Sequence, residues 1–191
     1  MAVVGRLLGG DIEEFAVGVG PRLLGFDYGD MVIRLNWLPL GGYVKFDEYF
    51  AELKPLRQII EALSGNLVLI LVALAIFGLS DGFGKFASGF YQLIFGAIAP
   101  LSTGKNLVGQ LFEFARNNSF LTLFALMSAK FAAYNLLPLG IFNGGFIIVN
   151  VLKMVFRLSE KAVERYSLIS LLVMVLLMIA WFVALVGFLL S

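Results

Sequence analysis

The sequence predicts a mainly α-helical integral membrane protein, with about three transmembrane helices, an interfacial or half-inserted helix, and a small N-terminal β-hairpin or loop. Two observations carry that expectation. The 191 residues are 60% hydrophobic and only 14% charged, with a mean hydropathy of +0.94, whereas a soluble domain carries about 25% charged residues. In addition, Ser167 to Leu190 runs without one charge, long enough to cross a hydrocarbon core with some tilt. The length allows about one domain, so 1–191 reads as a single membrane domain.

The expected elements follow in order. Region 1–55 is a glycine-rich cytoplasmic β-loop region. Within it Met31 to Leu38 is rich in β-branched and aromatic residues and is bounded by Gly29-Asp30 and Pro39, which reads as a strand. Gly41-Gly42 then leads to Tyr43-Val44-Lys45-Phe46, so a hairpin or small sheet is expected here. Met1 to Leu8 is too short for the apolar core of a signal peptide. The first span is 56–79, whose entry turns hold Arg57, Glu61 and Ser64-Gly65-Asn66. Segment 80–118 is extracytoplasmic or interfacial. Its apolar part, Phe83 to Leu101, is interrupted by Gly84, Gly89, Gly96 and Pro100, and reads as a helix lying at the interface or entering partway. A kinked span covers 119–156. Pro138 stops or bends it because proline has no amide donor, and the turn-like Asn143-Gly144-Gly145 follows. A cytoplasmic connection, 157–166, precedes the last span, 167–190.

Cations sort the two sides of the membrane. Arg6, Arg22, Arg34, Lys45, Lys54 and Arg57 precede the first span, and Lys153, Arg157, Lys161 and Arg165 flank the last connection, against only Lys85, Lys105 and Arg116 between Ser80 and Asn118. The positive-inside rule therefore places the N-terminal region and the 157–166 connection in the cytoplasm. The expected location is a bacterial cytoplasmic (inner) membrane. A net charge of +1 offers no nucleic-acid footprint. With Cys 0 and His 0, thiolate and imidazole chemistry are both absent from this sequence. The acidic residues of the N-terminal region, among them Asp11, Glu13, Glu14, Asp27 and Asp30, lack the helical i, i+4 spacing that would bring them onto one metal. No cofactor is expected.

Three stretches occur in a specific order: Phe15-Ala-Val-Gly-Val-Gly-Pro-Arg-Leu23, Leu38-Pro-Leu-Gly-Gly-Tyr-Val-Lys-Phe46 and Asn135-Leu-Leu-Pro-Leu-Gly-Ile-Phe-Asn-Gly-Gly145. Together they resemble the site-2 protease family of intramembrane zinc metalloproteases, over nearly the whole chain from about Gly9. The resemblance implies a β-loop, here Gly41, Gly42 and Tyr43, that dips toward the active site. It also implies a later turn that brings an aspartate to the zinc. Leu63-Ser-Gly-Asn66 is similar to the family's approach to its second span.

The departures from that pattern bear on activity. The family's H-E-x-x-H helix sets two imidazoles one turn apart on the metal, with the glutamate activating bound water. Counted back from Gly9, it would fall at or before Met1. The zinc-aspartate position is Asn143, and a neutral amide oxygen is a poor partner for Zn²⁺. The expectation is thus a catalytically inactive homologue with no catalytic or metal residues. Asn143 is the vestigial ligand position, and Lys130, Asn135, Pro138, Asn143, Gly144 and Gly145 form the vestigial site and its packing. Such a protein would serve as a structural or regulatory subunit of a membrane complex, in contact with other transmembrane proteins and membrane lipid, as a hetero-oligomer. The alternative is a fragment of an active intramembrane zinc metalloprotease.

Asn135 and Pro138 also suit a plain helix end, and Gly18, Gly20, Gly41 and Gly42 suit turns or close backbone approach. Lys130 stands out, because a charge in mid-span costs about 2.5–3.5 kcal/mol even on the lenient insertion scale. It is expected to point inward, toward Asn143, the carbonyls of the Pro138 kink or Glu61, or else to meet an acidic group of a partner.

Overall fold

The computed structural model describes residues 2–47, 54–140, 142–156 and 158–191. Met1, 48–53, Ile141 and Arg157, which fall in the expected β-loop region, kinked span and last connection, lie outside the described residues. The elements are helix α1 (Ala2–Leu7), strands β1 (Ile12–Tyr28) and β2 (Met31–Phe46), and helix α2 (Pro55–Ile98). A π-helical turn at Pro100–Gly104 follows, then α3 (Lys105–Asn117), α4 (Phe120–Asn135), α5 (Asn143–Phe156) and α6 (Glu160–Leu189). They divide into two compact units, Met1–Ser64 and Gly65–Ser191.

In the first unit β1 and β2 form an antiparallel hairpin that turns at Gly29, where Tyr28 pairs with Met31. The expected strand boundary at Pro39 is corrected: β2 continues through it to Phe46. Met31–Leu38 and Tyr43–Phe46 do not form a hairpin with each other. Instead, Phe15 has two partners, Ile33 on one side and Val44 on the other, and Ala16 likewise has Arg34 and Tyr43. The Glu14 to Val17 stretch therefore lies between the two halves of β2. Both strands must bend for this, and Gly18 (φ 81°) and Gly20 (φ 91°) supply left-handed backbone in β1 that only glycine adopts without strain. The base of the sheet is closed by Asp47 N–H donating to Asp11 O at 2.9 Å and Asp11 N–H donating to the Asp47 carboxylate at 3.2 Å. Helix α1 packs there through Gly5, whose missing Cβ leaves room for the Phe46 ring.

The second unit is built around a reversal within α2. Gly78 has φ 78° and ψ 172°, a region essentially closed to other residues. A Cβ on Gly82 would lie 3.0 Å from both Ala73 O and Leu74 Cα, whereas nine residues of straight helix span about 13.5 Å. The chain thus folds back at Gly78, and Lys85 reaches over the Phe77 ring, 4.7 Å from its centroid. The helix expected over Phe83–Leu101 is present: residues 79–98 form a helical arm packed against other helices. Gly84, Gly89 and Gly96 do not interrupt it, because glycine weakens a helix by only about 1 kcal/mol, and two of the three serve close packing.

Small residues set those contacts. Gly89 lies against Ala133 of α4, Gly96 against the Trp181 ring of α6, and Gly104 against Ala184 of α6. Ala125, Ala129, Ala132 and Ala133 of α4 are fully buried. This is the way helices approach in a membrane, where apolar side chains gain nothing by leaving lipid. Trp181 Nε1 donates to Leu93 O at 3.1 Å, using the second lone pair of a helical carbonyl. The expected single kinked span over 119–156 is resolved into two helices, α4 and α5, which are separated at Leu136–Phe142. Among the described residues two helical stretches are long and apolar enough to cross a membrane, Pro55–Ile98, which folds back at Gly78, and Glu160–Leu189, and Asn143–Phe156 is a shorter apolar helix.

Gly78→Ala is expected to destabilise the helical unit by about 1–3 kcal/mol. Gly84→Ala, with open space around it, is expected to be neutral or to stabilise by up to about 1 kcal/mol. Thermal unfolding in detergent, followed by circular dichroism, should show a lowered midpoint for Gly78→Ala and none for Gly84→Ala; equal effects would rule out the reversal at Gly78.

Candidate functional site

The turn between α4 and α5 is the place where the sequence puts the vestigial ligand. Helix α4 ends at Asn135, and Leu136 N–H donates to Ala132 O and Ala133 O. Pro138 then prevents further helix, and its carbonyl accepts the Tyr166 hydroxyl from α6 at 2.9 Å. Gly140 lies beside Ser167 at the start of the same helix. Asn143 opens α5, and the two glycines after it are tightly enclosed. A Cβ on Gly144 would sit 2.2 Å from Leu136 O, and one on Gly145 would sit 2.1 Å from Leu139 O. The Asn-Gly-Gly turn is therefore pressed backbone to backbone onto the Leu-Leu-Pro-Leu segment, and both glycines are buried.

Lys130 does not reach this turn. Its ammonium donates to Lys85 O at 2.9 Å and to Ser88 Oγ at 2.7 Å, and Ser88 Oγ donates to Lys85 O at 3.0 Å. The expected contacts with Asn143, the Pro138 carbonyls or Glu61 are thus corrected. Gly89 and Ala133 hold α4 so close to residues 79–98 that a helical carbonyl and a hydroxyl lie nearer to the ammonium than anything at the turn. Glu61, in the first unit, is 5% exposed, and its Oε1 has no hydrogen-bond partner among the described residues.

In the first unit the sheet separates its chemistry by face, since directly opposed residues share a side. Leu24 opposite Leu35, Phe26 opposite Ile33, and Tyr28 opposite Met31 form an apolar face, with Phe26 61% and Trp37 70% exposed. The other face is polar. Arg34 and Tyr43 both oppose Ala16, from either side, so both reach Glu14 two residues along. Arg34 pairs with Glu14 at 3.1 Å, and the Tyr43 hydroxyl donates to the same carboxylate. That bond raises the Tyr43 pKa above its ordinary 10.0. Lys45 pairs with Glu13 at 2.6 Å, Asn36 Nδ2 donates to Gly18 O at 3.1 Å, and Gly42 lies against Ala16 O. Gly41 continues β2. Sequence reasoning singled out Tyr43 but missed Glu14, Arg34 and Tyr166. For Arg34 and Glu14 the signal was an ionisable residue within an otherwise apolar strand.

Among the described residues no group of three or more His, Cys, Asp or Glu is placed to hold a metal ion. Asn143 offers one neutral amide, and its neighbours press on carbonyl oxygens rather than on open space.

The glycine-rich sheet and the Asn-Leu-Leu-Pro…Asn-Gly-Gly turn are thus the two places where the structure carries the phrases that resemble the site-2 protease family. The sequence comparison agrees: residues 2–180 match peptidase family M50, the site-2 proteases, and the chain belongs to that family. It is 31% identical over 115 residues to a "Putative zinc metalloprotease" of Clostridium perfringens, covering 55% of this chain and 33% of that protein. A second protein of the same description, from Clostridium acetobutylicum, is 35% identical over 92 residues, covering 42% and 27%. The matched stretches thus span between about a quarter and a third of those relatives' length. No solved structure matches.

Two outcomes test this geometry. Gly144→Ala should destabilise the protein by about 1–3 kcal/mol, since the clash is with backbone; a thermal midpoint equal to the parent's would refute the close approach. Because the Tyr43 pKa is higher in the folded state, the bond to Glu14 contributes its full stability below pH 10 and loses it as pH rises through the raised value. Tyrosinate absorbance should show a late-titrating component that Tyr43→Phe removes and Glu14→Gln shifts back toward pH 10; an unchanged titration curve in both variants would exclude the bond.

Proposed function

We propose that this protein is a catalytically inactive member of the site-2 protease family. On this reading it is a structural or regulatory subunit of a membrane complex in a bacterial inner membrane, with its N-terminal region in the cytoplasm. The observation that carries the reading is Asn143 at the family's zinc-aspartate position, in a sequence with no histidine. An amide cannot replace a carboxylate as an anionic ligand for Zn²⁺. The apolar face of the sheet offers a surface for a transmembrane segment of a partner, and the charge placement supports the orientation. A second reading is favoured by the partial coverage of the relatives: a piece of an active zinc protease, with histidines supplied by another segment. Asn143 weighs against it, because that position lies inside the matched region.

The purified full chain should hold well under one zinc per molecule by elemental analysis and should cleave no membrane substrate. In mild detergent, light scattering should give a mass above that of one chain. Stoichiometric zinc removed by chelator together with proteolysis would sink the inactive reading, and a monodisperse monomer would sink the subunit reading.

A further inference from the structure

At the far end of α6 an open cavity of about 480 Å³ lies between that helix and α3. Its apolar lining is the stacked pair Phe112 and Phe188, with ring centroids 5.2 Å apart and planes 21° apart, and Leu189. Gly109 allows this approach, since a Cβ there would lie 3.3 Å from the Phe188 ring. Its polar lining is Glu113, Arg116 and Asn117. Glu113 and Arg116 stand one helical turn apart, a spacing at which opposite charges commonly pair. They form no hydrogen bond or ion pair with each other or with any other described residue. Both signs of charge are thus presented, unneutralised, beside an apolar lining.

The depth of the cavity identifies its surroundings. Arg165 is the last charge of α6, and Phe188 lies 23 residues further on, about 34 Å along the helix. A hydrocarbon core is about 30 Å thick, so the Phe188 end of α6 emerges at the opposite headgroup layer. That places Glu113 and Arg116 among lipid phosphates and amines.

We propose that this cavity binds the headgroup of a zwitterionic aminophospholipid from the surrounding membrane. The Arg116 guanidinium, with the Asn117 amide, takes the phosphate; the Glu113 carboxylate takes the primary ammonium; the acyl chains leave over Phe112, Phe188 and Leu189. The charge pattern selects among lipids. An anionic headgroup gives Glu113 no cation and sets a like charge beside it. A choline headgroup has no N–H to donate to the Glu113 carboxylate.

The test is native mass spectrometry of the full chain in detergent, titrated with phosphatidylethanolamine, phosphatidylcholine and phosphatidylglycerol of identical acyl chains. The parent protein should retain phosphatidylethanolamine about tenfold more tightly than either of the others, the scale of one charge-assisted hydrogen bond. Glu113→Gln should reduce it to the level of phosphatidylcholine, and Arg116→Gln should weaken both by about tenfold. Equal retention of all three lipids by the parent, a preference for phosphatidylglycerol, or unchanged selectivity in Glu113→Gln would overturn the proposal. The comparison of lipids on the parent protein decides the matter even if a variant fails to fold.

Discussion

The second unit depends on a reversal of backbone direction at a single residue. Inside a bilayer every amide must find its partner within the protein, which favours uninterrupted helix. A chain can turn back only where the backbone can leave helical geometry within one residue. Gly78 does so with φ 78°. The arm 79–98 that results is then clasped by α4 on one side and α6 on another, through Gly89 and Gly96. Were residue 78 helical, α2 would be one long rod, and neither Lys130 nor Trp181 would meet its present acceptors.

That closeness also explains how a charge is carried in an apolar unit. Lys130 has no carboxylate partner among the described residues, yet its ammonium is held by a helical carbonyl and a serine hydroxyl. Helical carbonyls keep a second lone pair after the i to i−4 bond, and small residues bring the ammonium within its reach. Trp181 uses the same device on Leu93 O. In the Asn-Gly-Gly turn, close approach acts between backbones, where Gly144 and Gly145 fit against the carbonyls of Leu136 and Leu139.

The membrane class, the last span and the family were legible in the sequence because each rests on local signals: an uncharged run, a cation count, and phrases whose order is specific. The absence of imidazole and the amide at position 143 were equally plain, since they are statements about residue type. The sheet was legible only as strand-forming stretches. Its order was not, because Phe15 and Ala16 each pair with residues about 18 and 28 positions away, and alternation along one strand does not tell which strands flank it.

What the sequence by itself determined is composition-borne: a membrane protein of the site-2 protease family, in a sequence without histidine and with asparagine at position 143. Only the tertiary structure decided that residues 79–98 fold back as a packed arm, that Lys130 turns to Lys85 and Ser88 and away from the Asn143 turn, and that Glu14 gathers Arg34 and Tyr43. The reason is physical. Hydrophobicity selects the solvent a segment prefers, and it does so residue by residue. Within a membrane it does not choose which helix faces which, because apolar side chains are as well placed in lipid as in protein, and that choice falls to close packing and hydrogen bonds between residues distant in the chain.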